Sequence, residues 1–148
     1  MFPLLNKHLY IGQSVDGYQV VTLNSNYTGG LMISPVINPL VTYKRNYTET
    51  VDTLNTYNSG GSVQTSSGTV TTSFTDWRIP TKAEWETMIG YGQINLLPSS
   101  QVVWTSTNGV LDPSNNKFTV EHPSSYVIVE QNKVNEYAVR FVRNFTIR

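Results

Sequence analysis

The stretch "FTDWRIPTKAEWETMIGYG", residues 74–92, leaves the chain few ways to fold. Pro80 pushes the residue before it towards an extended conformation, and Thr81 stands three positions ahead of Glu84. The Thr81 hydroxyl can then accept from the Glu84 N–H while the Glu84 carboxylate reaches back to the Thr81 N–H. Two of the donors that a helix start leaves open are satisfied in this way. Trp85, Met88 and Ile89 share one face of the resulting helix, predicted over 82–90, and Gly90 and Gly92 end it. Ahead of the proline, Trp77 and Ile79 point to one side of a short extended segment and Arg78 to the other. Trp77, Arg78, Pro80, Thr81, Glu84 and Trp85 are therefore read as fold-determining residues.

The rest of the chain reads as short strands and turns around a second helix. "GYQVVTL" and "LMIS" flank the turn "NSNYTGG" as a hairpin, and Pro35 and Pro39 make 36–41 an irregular connection. In "NYTETVDTLNTY", residues 46–57, Tyr47, Val51, Leu54 and Tyr57 recur at helical spacing, and Asn46 with Glu49 forms a capping box. Residues 58–73, rich in Gly, Ser and Thr, read as a long loop or loose hairpin separable from the core. "QVVWTST", which carries Trp104, and "KFTVEH" read as strands. The closing segment reads as a hairpin, strand 126–130 against strand 134–145, with Tyr137, Val139 and Phe141 on one face and Ala138, Arg140 and Val142 on the other. The fold class is α+β, mostly short antiparallel strands with two helices. A length of 148 residues suits one domain spanning 1–148, with 1–9 as an N-terminal arm.

Composition narrows the chemistry. There is no cysteine, so disulfides, thiolate metal sites and cysteine nucleophiles are excluded. Ten basic residues balance ten acidic ones without clustering, which argues against a nucleic-acid partner. The basic tail (Arg140, Arg143, Arg148) reads mainly as solvated, with Arg140 and Arg143 also assigned structural roles. No apolar run is long enough for membrane insertion. The only histidines, His8 and His122, lie in no nucleophile motif and read as surface residues, so no catalytic residue is assigned. "DPSNN" offers Asp112, Asn115 and Asn116 as oxygen ligands, yet it lacks the calcium-loop spacing and reads as a turn. No metal or cofactor is expected.

Binding is left to the polar loops, which hold much of a total of 18 Thr, 14 Ser and 14 Asn. Tyr27, Tyr57, Tyr91 and Tyr126 border turns and are expected to be exposed. The candidate contact residues are Tyr57, Ser66, Ser67, Thr69, Asn108, Asn115, Asn116 and Tyr126.

"DWRIPTKAEWE", with "YIGQSVDGYQVVTLN…GGLMIS", "VWTST" and "YAVRFVR" in the same order, resembles the Legionella collagen-like protein C-terminal domain family and the related Fibrobacter major paralogous domain. The resemblance implies a C-type-lectin-like fold, related at a distance to formylglycine-generating enzymes. In that fold the first and last strands pair, two helices flank the sheet and a loop region forms the variable surface. The cysteines of formylglycine-generating enzymes and the calcium-binding loops of sugar-binding C-type lectins have no counterpart in this sequence. A non-enzymatic scaffold is what the resemblance leaves. With a Met1 start and no export signal, the expected role is display on a bacteriophage virion, as a fibre, tail or capsid-decoration protein. It would form a homo-oligomer and contact other virion proteins or a host surface glycan or protein. The alternative is a bacterial cell-surface adhesin or carbohydrate-binding module.

Overall fold

A computed structural model describes residues 9–92, 95–122 and 125–147. Both capping boxes form. Asn46 Oδ1 accepts from Glu49 N at 2.9 Å and Glu49 Oε1 from Asn46 N at 3.1 Å, opening α1 (Tyr47–Asn58). Thr81 and Glu84 exchange the equivalent bonds at 3.1 and 2.8 Å, opening α2 (Lys82–Tyr91), which closes on Gly92 in the left-handed conformation.

Among the described residues nine strands form three antiparallel sheets: β1 (Ser14–Val15), β2 (Tyr18–Leu23), β3 (Gly29–Ile33), β4 (Val63–Thr65), β5 (Gly68–Val70), β6 (Val102–Asn108), β7 (Asn116–Glu121), β8 (Val127–Asn132) and β9 (Val142–Thr146). The four-stranded sheet runs β1-β2-β3-β9, the three-stranded sheet β6-β7-β8, and β4 pairs with β5. With two helices and antiparallel sheets, the chain is α+β.

The two helices lie on opposite faces of the four-stranded sheet, because its residues feed two separate cores. Val20, Met32, Phe141 and Phe145 meet Tyr47, Val51, Leu54 and Tyr57 of α1, with Trp77, Ile79 and Trp104. Val21, Leu31, Ile33 and Val142 meet Trp85, Met88 and Ile89 of α2, with Val103 and Val120. The neighbours Val20 and Val21 are both buried, one in each core, because successive strand side chains point to opposite faces and both faces of the sheet are covered.

The closing hairpin does not form. Along all six of its residues, β8 pairs with β7 instead. The segment 137–142 threads between layers, bridging Arg45 from Tyr137, Val103 from Ala138, Ile37 from Val139 and Arg78 from Val142. Its alternation is as expected, Val139 and Phe141 in one core and Ala138 and Val142 in the other. Apolar side chains on both faces are suited to a segment covered on both sides, and a hairpin at the surface would expose one of them. The expected pairing of first and last strands is also replaced: among the described strands β9 pairs with β3, and β1 pairs with β2.

Two further expectations are corrected, those for residues 58–73 and for the basic tail, while most of the N-terminal arm lies outside the described residues. Residues 58–73 contain the compact β4–β5 hairpin, turning at Ser66 and Ser67. Its Val63 and Thr65 are buried, and Gln64 O accepts from Asn38 N at 2.8 Å, so it is part of the fold and not a separable loop. Of the arm 1–9, residues 1–8, including His8, lie outside the described residues, and Leu9 is buried in the core. Two arginines of the tail, Arg140 and Arg143, are held within the fold and are not freely solvated. Arg143 Nε donates to Asp76 Oδ1 at 2.6 Å and its guanidinium lies 3.7 Å from the Phe74 ring centroid, while the partly buried Arg140 donates to Ser34 O and Leu96 O; Arg148 lies outside the described residues.

Candidate binding surface

The residues read as structural are packed or paired within the fold. Trp77, Trp85 and Trp104 are buried, Trp77 Nε1 donating to Thr72 Oγ1 and Trp104 Nε1 to Arg45 O. Arg78 makes a two-pronged pair with Glu84, both bonds 2.6 Å, and donates to Asn144 Oδ1 at 2.9 Å. Burial alone would raise the Glu84 carboxyl, but the bonds from Arg78 and Thr81 outweigh it and hold it below the usual range. Pro80 O accepts from Ser106 N at 2.9 Å, tying the α2 entry to β6.

The candidate contact residues divide. Tyr57 is a correction: it is fully buried, its ring 5.7 Å from those of both Trp77 and Phe141. Burial first, then the neighbouring Tyr18 hydroxyl, raises its phenol well above the usual range. α1 continues through Asn58, so Tyr57 completes the apolar face begun by Tyr47 and does not border a loop. Tyr126 is half-buried, its hydroxyl accepting from Leu96 N at 2.9 Å and Leu97 N at 3.3 Å while its ring stacks on His122. Tyr27 and Tyr91 are exposed as expected.

Ser66 and Ser67 are exposed at the β4–β5 turn. Thr69 lines a polar cleft of about 260 Å³ with Asn38, Arg45, Thr53, Thr56 and Gln64, between the hairpin and α1.

Asn108, Asn115 and Asn116 belong to a different place, the end of β6, the loop that follows it and the start of β7. One residue missed by the sequence reading, Glu130 on β8, organises it. The Glu130 carboxylate accepts from Val110 N (2.8 Å), Leu111 N (3.0 Å), Asp112 N (3.1 Å) and Asn116 Nδ2 (2.8 Å). The Asn116 bond first, then the three backbone N–H groups, lowers its pKa to about 2 against an opposing effect of desolvation. Asn115 Nδ2 donates to Asp112 Oδ2, and Asn108 Oδ1 accepts from Lys117 Nζ at 2.6 Å. These amides hold the loop together and are only partly free for a partner. What the loop presents outward is Val110 and Leu111, 77% and 88% exposed. No local signal marks Glu130, since its acceptor role depends on N–H groups 18–20 residues away.

Among the described residues no group of three or more His, Cys, Asp or Glu is gathered as a metal site requires, and no helix is long and apolar enough to cross a membrane. No family model matches the chain, and no curated protein matches it.

Proposed function

We propose that this chain is a non-enzymatic display domain of C-type-lectin-like fold, carried on a bacteriophage particle as a fibre, tail or capsid-decoration component. Through its loops it contacts a host surface receptor or neighbouring virion proteins. The observation that carries this reading is the apolar tip Val110–Leu111 on a backbone already ordered by Glu130. Exposed apolar groups fixed in advance suit protein contact, because little ordering entropy is left to lose on binding. Val134, 74% exposed, lies at the same end of the three-stranded sheet, where Lys133 N donates to Asn115 O. A symmetric oligomer or a neighbouring virion protein would cover this end. The polar cleft at Thr69 favours the second reading, a bacterial cell-surface adhesin or carbohydrate-binding module.

The test is the double substitution Val110→Asp with Leu111→Asp, followed by sedimentation and by co-purification with phage particles. The expected result is an oligomeric or particle-bound wild-type protein and an unbound variant with unchanged melting temperature. A strictly monomeric wild-type protein that binds glycans would favour the adhesin. A variant that assembles as the wild type does would remove the tip from the interface.

A further inference from the structure

Arg140 is a cation in an unusual setting. Its Nε donates to Ser34 O at 2.8 Å and its terminal nitrogen to Leu96 O at 2.6 Å, both backbone carbonyls. Among the described residues it has no carboxylate partner, whereas Arg78 and Arg143 each have one. Arg140 is partly buried, and its other N–H donors have no acceptor among the described residues and are not closed off from the surface, so they are open to an anionic partner. Desolvation lowers its pKa to about 10, with the nearby Tyr126 opposing the shift.

Arg140 lines an open cavity of about 490 Å³, within the size range of small-ligand sites. Val36, Leu97 and Pro98 give it apolar walls, and the exposed Asn95 and Ser99 give it a polar rim. His122 lines it too. The His122 ring is stacked by Tyr126 at 4.4 Å between centroids, and its Nδ1 is enclosed with no hydrogen-bond partner among the described residues. The Tyr126 hydroxyl, in turn, pins the backbone at Leu96 and Leu97. The wall that carries the cavity is thereby held in place without a ligand.

We propose that this cavity binds a small organic monocarboxylate, its carboxylate paired with the Arg140 guanidinium and its apolar body against Val36 and Leu97. A single cation with planar, forked donors matches one carboxylate. A phosphate dianion would leave a charge uncompensated. The site is separate from the Glu130 loop and does not depend on its role.

The experiment follows the Arg140 side-chain N–H resonance and the melting temperature during titration with butyrate, acetate and phosphate at constant ionic strength set with chloride. Butyrate should shift the resonance saturably and raise the melting temperature by several degrees, with acetate weaker and phosphate weakest. Arg140→Gln should abolish the effect, but it also removes the donors to Ser34 O and Leu96 O, so a second variant that keeps these bonds is needed. Ser99→Trp, at an exposed rim position, should leave the unliganded melting temperature unchanged and weaken butyrate about tenfold or more. No saturable shift with any anion, an equal response to phosphate, or a Ser99→Trp variant that binds butyrate as the wild type does would each overturn the proposal.

Discussion

At the scale of single residues, the strongest signals are those whose partners lie within one helical turn. Thr81→Ala should cost about 1 kcal/mol, since it removes the acceptor for Glu84 N, and chemical denaturation would measure it. Tyr57→Ala should cost about 3–5 kcal/mol as a cavity in the α1-side core. A stable Tyr57→Ala protein with impaired binding would restore Tyr57 as a contact residue. Glu130 makes a prediction in pH. Its carboxyl is lowered to about 2, so its contribution to the 109–116 loop is complete above the ordinary glutamate pKa and is lost as pH falls towards 2. Amide exchange at Val110, Leu111 and Asp112 should therefore stay protected in mildly acidic buffer, and Glu130→Gln should weaken that protection at neutral pH. Unchanged exchange in Glu130→Gln would mean that the loop is held by something other than the carboxylate.

At the scale of elements, α1 and α2 were legible because a cap and an apolar face are local patterns. The β4–β5 hairpin was legible only as one of two alternatives, and its attachment to the core was not. Its Ser- and Gly-rich sequence looks like a solvated loop, but Val63, Thr65 and Val70 are enough to seat it on the core, and Gln64 O completes a bond with Asn38. Deleting residues 60–72 should consequently lower the melting temperature markedly, by removing Val63 and the Thr72 acceptor of Trp77 Nε1. A deletion protein as stable as the wild type would return this segment to the status of a detachable loop.

At the scale of the whole molecule, the segment 137–142 decides the architecture. Ala138 is fully buried, and its N–H and C=O are bonded to Val102 O and Trp104 N, where the three-stranded sheet meets the central layer. Ala138→Leu should cost about 1–3 kcal/mol by overpacking that seam, measurable as a drop in thermal midpoint. The sequence by itself determined both helices, their caps, the buried tryptophans and the two-faced alternation of the closing segment, because each depends on residues close together in the chain. Only the tertiary structure decided that β8 pairs with β7, that β9 pairs with β3, that Glu130 orders a distant loop and that Arg140, without a counter-charge among the described residues, sits beside a cavity. Those outcomes depend on which backbone N–H and C=O groups meet across long separations, and side-chain periodicity carries no information about that choice.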